Sequence, residues 1–156
     1  MFLLIIFLIC LFVALGTGVL AGLSDLRGLT IPNLYSGVVV LAFVACYGVL
    51  WVFGRDDVFF SLSSHLLAAV IVFGVTAAMF AFGMLGAAGS KLGTGYALWV
   101  GLLGIFPFLF YMTLAGGVLG LASLALRKWK PIKAPPEGSW VAQVQAGESK
   151  VPYGVA

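Results

Sequence analysis

From Met1 to Leu126 the chain carries charge at only six positions: Asp25, Arg27, Arg55, Asp56, Asp57 and Lys91. The stretches between them are apolar and long, and about 20 mainly apolar residues suffice to cross the ~30 Å hydrocarbon core of a bilayer. With 63% hydrophobic and 8% charged residues over 156 positions, the chain cannot be a water-soluble domain, whose apolar share is about 45–50%. In lipid every backbone amide needs an internal partner, which only helices or closed barrels supply. The expected fold class is therefore all-α, a polytopic membrane helix bundle in a lipid bilayer.

Five apolar segments are predicted, at about 2–23, 34–53, 61–85, 93–106 and 108–126. The first lacks the basic start of a signal peptide and is apolar for too long to be one, so it reads as a retained helix. Pro32 excludes a helical turn through Ile31 and, with Asn33, opens the second segment. Pro107 is expected to break the chain between the fourth and fifth, where no polar residue separates them. Arg127-Lys128-Trp129-Lys130 closes the fifth with basic and aromatic residues, as at a membrane interface. From Pro131 onward Pro, Gly, Glu, Gln and Lys dominate. This divides the chain into a bundle, 1–130, and an exposed or interfacial tail, 131–156.

Charge bounds orientation more than partners. With the amino terminus outside, Arg27, Lys91, Arg127, Lys128, Lys130, Lys133 and Lys150 fall inside, leaving Arg55 outside with Asp56 and Asp57. The positive-inside rule favours that choice, and the net charge of +3 becomes a topology signal rather than a nucleic-acid footprint. His65 falls on the outer side, where no catalytic role is expected. Cys10 and Cys46 sit inside apolar segments and read as packing residues, not as a metal site or disulfide. Gly16, Gly18 and Gly22, like Gly116, Gly117 and Gly120, are spaced for close helix packing, with lipid-facing glycine as the alternative.

Two polar interruptions share the inner side. One is Asp25, a carboxylate at the membrane boundary; an ionisable group there is costly and marks a functional candidate. The plain alternative is an interfacial Asp25 paired with Arg27. The other is the small-residue turn from Gly83 through Gly86-Ala87-Ala88-Gly89-Ser90 to Lys91-Leu92, the only glycine-rich interruption that also carries a charge. Backbone that leaves the helix in lipid must be buried in protein or wetted, so such a turn suggests a site.

Asp-x-Arg followed by Ile-Pro-Asn, then Gly86 to Lys91-Leu92, then Ala97-Leu98-Trp99-Val100-Gly101 and a closing Val-Pro-Tyr-Gly-Val-Ala together resemble the prepilin leader peptidases. The match is to the short TadV/CpaA-like branch that processes Flp-type prepilins, and it runs along nearly the whole chain. The resemblance implies an intramembrane aspartic endopeptidase of the GxGD type that cuts a type IV prepilin leader after a glycine, at the cytoplasmic face of a bacterial inner membrane. Its partner is then a prepilin, and no cofactor, metal or nucleic acid is implied. One catalytic aspartate falls on Asp25. The second falls two residues before Lys91, where this chain has Gly89. Gly86, Ala87 and Ala88 supply the motif's small residues, while Arg27, Pro32, Asn33 and Lys91 shape the site. Lys91 and Arg27 either stabilise carboxylate charge and attract acidic residues of the substrate, or serve only as topology markers.

Two carboxylates sharing a proton can act as base and acid towards one water, because neighbouring like charges push their proton affinities apart. A lone Asp25 cannot run that cycle, and Ser90, Asp56, Asp57, Glu137 and Glu148 offer no substitute. Little or no peptidase activity is expected of the chain as it stands. In the family the Pro-Tyr-Gly segment precedes a final apolar helix, a sixth span, so either such a helix belongs after Ala156 or this chain closes its bundle differently. No cysteine-bearing domain is present, so coupled N-methylation is not expected. The rival readings are a non-catalytic prepilin-binding protein of pilus assembly and a small transporter or channel. The second would require intramembrane charges on several segments, which the sequence lacks.

Overall fold

A computed structural model describes residues 1–55, 57–148, 151–152 and 154–155. It is all-α: α1 (Phe2–Gly28), α2 (Asn33–Val52), α3 (Leu62–Ala81), α4 (Ala87–Trp129) and the short α5 (Trp140–Gln145). The first four are long and apolar enough to cross a membrane. Their outward faces are apolar throughout, as at Phe2, Leu41, Val70 and Leu121, each more than 60% exposed. Such faces would aggregate in water and are at home in lipid. The chain is a multi-pass membrane protein.

The expected fourth and fifth segments are joined in α4, 43 residues long and broken by one non-helical residue, Gly101, at φ 66°, ψ −179°. Only glycine adopts that combination readily. Successive contacts with α3 trace the reversal. Ser90 meets Thr76 and Leu98 meets His65; beyond the break Leu102 meets Ser64 and Ile105 packs on Ala68 and Val72. We call 87–100 the outgoing arm and 102–129 the returning arm. The break thus lies six residues before the expected one at Pro107, which remains inside the returning arm. This reversal turns on a positive φ, which proline cannot adopt.

Two side chains of α3 take over the hydrogen bonds that the break releases. In an unbroken helix the Leu102 N–H would donate to the Leu98 carbonyl. Instead it donates to Ser64 Oγ at 3.1 Å, and the Leu98 carbonyl lies 2.6 Å from His65 Nδ1. His65 is buried among Phe43, Tyr47 and Phe59, whose rings lie 5.2–6.3 Å from its own. It holds the hairpin tip at the end of the bundle away from Asp25.

At the Asp25 end the core is Ala21, Ile31, Val39 and Leu92, with Tyr35, Ala88, Tyr96 and Trp99 packed around it. Tyr96 spans from the outgoing arm to α1, donating to the Ala14 carbonyl at 2.7 Å. A Cβ on Gly18 would meet that hydroxyl, so any larger residue there would displace Tyr96 from its bond to Ala14. Gly16, Gly117 and Gly120 have open space where a Cβ would stand, so the packing expectation fails at those three. Cys10 and Cys46 are free thiols, and Cys46 is fully buried.

The tail, expected as an exposed or interfacial loop, is part loop and part docked helix. Residues Pro131–Ala134 and Pro136–Gly138 are exposed, but Ser139 then caps α5, its hydroxyl accepting from the Ala142 N–H at 3.3 Å. Trp140 and Val144, one helical turn apart, bury their side chains. Pro152 is buried too.

Candidate functional site

Asp25 stands in the last turn of α1, where the chain is held unusually firmly. The helix ends at Leu29 in the left-handed region, its N–H donating to the Asp25 carbonyl at 2.8 Å, and Ser24 Oγ donates to the Thr30 carbonyl at 2.7 Å. These bonds turn the chain sharply into Ile31 and Pro32, which leads into α2 at Asn33. Asp25 itself points inward, 6% exposed.

Its carboxylate is not paired with Arg27. Among the described residues Arg55–Asp57 is the one ion pair, and Arg27 is exposed. Two residues apart on a helix, Asp25 and Arg27 point to different faces, so the pairing was sterically unfavourable from the start. Asp25 Oδ2 instead accepts the backbone N–H of Gly154 at 2.7 Å, from 129 residues further along. No side chain fits at 154: a Cβ would stand 2.6 Å from Ile31 Cδ1 and about 3.0 Å from the Asp25 carboxylate. The Gly154 carbonyl in turn lies 3.1 Å from where a Cβ on Gly22 would be. The tail is thus seated on α1 at two glycines.

Asp25 and Gly89 line one cavity of about 290 Å³. Leu29 and Ile31 form its wall beside Asp25. Gly83 to Gly86, with Ala88 and Gly89, form the opposite wall, and Val151 of the tail borders it. Gly89 also lines an adjoining cavity of about 200 Å³ with Gly18, Tyr96, Met112 and Gly154.

The glycine-rich turn is shorter than expected. It spans only residues 82–86, with Gly83 at φ 70°; Gly86 is the N-cap, and α4 begins at Ala87. Gly89, Ser90 and Lys91 are therefore helical. Alanine and leucine among the small residues outweigh the cost of one glycine, about 1 kcal/mol. The buried hydroxyls of Ser90 and Thr76, 2.8 Å apart, tie this first turn to α3.

Of the other residues singled out by sequence, Gly86 and Ala88 line the cavity, whereas Ala87 is exposed and does not. Lys91 Nζ donates to Asn33 Oδ1 at 3.0 Å, joining the first turns of α4 and α2 beside the site rather than within it. Pro32 caps α2 and is exposed. Asp57 lies in the loop between α2 and α3, hydrogen-bonded by Arg55, which holds its carboxyl below the usual range. Asp56, Lys150, Tyr153 and Ala156 lie outside the described residues. Val151 and Gly154 were missed as site residues, although Val-Pro-Tyr-Gly is the one apolar, turn-forming stretch near the end of a polar tail.

Chemically this is a single buried carboxylate beside a cavity large enough for several waters or a short peptide segment, with one oxygen engaged by a main-chain amide. Such a group can orient water or accept a peptide N–H, but it has no second acid within the cavity lining. Among the described residues no three His, Cys, Asp or Glu side chains converge as metal ligands do. No family model, curated protein or solved structure matches the chain.

Proposed function

We propose that the chain is a prepilin leader peptidase-type protein of a bacterial inner membrane. It receives the leader segment of an Flp-type prepilin at the Asp25 cavity, and as it stands it binds that segment without hydrolysing it. The observation that carries this reading is the shared cavity: Asp25 and position 89, 64 residues apart in sequence, line the same space. That is where a pair of aspartates would have to meet to divide the roles of base and acid. Glycine at 89 supplies no carboxylate, so water at Asp25 has a base and lacks the acid that would protonate the leaving amine.

Orientation follows from charge. Arg27, Lys91, Arg127, Lys128, Lys130 and Lys133 belong to the Asp25 end of the bundle and Arg55 to the other, which under the positive-inside rule supports a cytoplasmic site.

The test is Gly89→Asp, produced in membranes together with an Flp-type prepilin. Leader cleavage is expected to appear with Gly89→Asp and to vanish when Asp25→Asn is added. No cleavage from Gly89→Asp, with prepilin still bound after Asp25→Asn alone, would replace this reading with that of a non-catalytic binding protein of pilus assembly.

A further inference from the structure

The returning arm leaves the hydrocarbon abruptly. Leu121 and Leu124 are more than 60% exposed, as lipid-facing residues are, and one turn later the side chains become Arg127, Lys128, Trp129 and Lys130. The arm ends at Lys130, φ 44°, whose N–H donates to the Leu126 carbonyl at 3.0 Å. With Lys133, four cations stand between residues 127 and 133 at the membrane boundary. All four are exposed, and none is in an ion pair among the described residues. Cations complement the partial negative charge of a helix C-terminus, but that effect fades within the last turn. Lys133 lies beyond it.

The segment that carries these charges is fixed from behind. Oriented to satisfy both partners, the side-chain amide of Gln145 donates to the Ile132 carbonyl at 2.9 Å and accepts the Ile132 N–H at 3.2 Å. Gln145 is itself 8% exposed, on α5, which packs against α4 and α1 and buries Trp140 and Val144. Ile132 thus spends both main-chain groups on a docked helix. Its own side chain stays 43% exposed and that of Trp129 73%. Holding the backbone in place lowers the ordering cost that a ligand would otherwise meet.

We propose that residues 127–133 form an interfacial strap, positioned by Gln145, that binds anionic phospholipid headgroups in preference to zwitterionic ones. An anionic phospholipid offers phosphate to the cations and its glycerol and upper acyl chain to Trp129 and Ile132. It is also already at that depth in the bilayer that the spans require. A free phosphate would meet the cations and leave the two apolar side chains in water. The strap stands apart from the Asp25 cavity, and its binding is independent of what that cavity receives.

Photo-crosslinking from lipid to protein tests this in vesicles of phosphatidylcholine that contain the full chain. Probes of phosphatidylglycerol and of phosphatidylcholine carry the same photoreactive group near the glycerol, at levels far below saturation. Adducts are read by mass spectrometry of the peptide around Trp129. The phosphatidylglycerol probe is expected to dominate, less so as salt is raised. Lys130→Gln, an exposed change, is expected to lower its adduct about fivefold, the contribution of one cation at an anionic surface. Gln145→Ala keeps every charge and is expected to lower it by a similar factor, because fixing one residue's backbone costs about as much. Equal yields from the two probes would overturn the proposal. So would an unchanged yield with Gln145→Ala, or an equal fall with Arg27→Gln, which would reduce the strap to a diffuse positive face. Displacement of the probe by inorganic phosphate would overturn it in favour of a free anion.

Discussion

Replacing Gly101 by alanine tests the account of the hairpin, because two separable costs fall on one methyl group. The first is conformational: a non-glycine residue at φ 66°, ψ −179° costs about 1–3 kcal/mol. The second is steric. The new Cβ would stand 3.1 Å from His65 Cε1 and 3.2 Å from Nδ1. The ring cannot easily retreat, being held at 2.6 Å by the Leu98 carbonyl and flanked by Phe43 and Phe59. Overpacking of that kind costs about 1–3 kcal/mol. A total loss of about 2–6 kcal/mol is expected for Gly101→Ala, read from the unfolding midpoint on SDS titration in mild-detergent micelles. Gly117→Ala is the control: it sits in open space on the same arm and should be neutral or stabilising by up to about 1 kcal/mol. Combining Gly101→Ala with His65→Ala should recover the steric part alone, giving a coupling of about 1–3 kcal/mol in the double-mutant cycle. A Gly101→Ala loss below about 1 kcal/mol, or a strictly additive cycle, would refute the reversal at Gly101 or its support by His65.

The remaining expectations concern the site and its frame. Gly154→Ala should lift the tail from Asp25, and labelling of that carboxylate by a hydrophobic carbodiimide should rise about tenfold, the equivalent of one lost charge-assisted hydrogen bond; unchanged labelling would count against the tail contact. Tyr96→Phe removes the bond to the Ala14 carbonyl and should lower stability by about 1 kcal/mol in the same SDS titration. Asp57→Asn should leave the midpoint at neutral pH unchanged, since its pair with Arg55 is exposed. Because Asp57's carboxyl is held low, whatever the pair contributes is present at neutral pH and fades as acidification passes the lowered value. Parent and Asp57→Asn midpoints should therefore coincide in acid as they do at neutral pH, and a gap that opens at neutral pH and closes in acid would show that the exposed pair is worth more than this.

Much of this architecture could be read from residues alone, and the misreadings share a cause. Long apolar runs bounded by Asp25, by Arg55 to Asp57 and by the Gly83 turn mark α1, α2 and α3 within a few residues, since hydropathy records what lipid requires. Within α4 that signal falls silent, because the two arms are equally apolar on both sides of their junction. There proline looked like the stronger breaker, whereas this reversal turns on the positive φ that Gly101 alone supplies. The common cavity of Asp25 and Gly89 was legible only through motif resemblance; no local periodicity places residues 64 apart in one wall. The Asp25–Gly154 bond was illegible because its donor is main chain, which leaves no imprint on residue type beyond the need for a glycine.

That bond also bears on how the protein is made. Asp25 enters the membrane with the first helix, but its partner amide is encoded 129 residues later. At about 5–20 residues per second, translation leaves the carboxylate without it for roughly 6–26 s. Throughout that interval the last turn of α1 must keep Asp25 at the wet rim of the bilayer, or protonated, while α2 to α4 insert around it. The site is therefore completed only after α2 to α4 have entered, and a ribosome stalled within the tail would leave those helices threaded through the membrane with Asp25 still open to water.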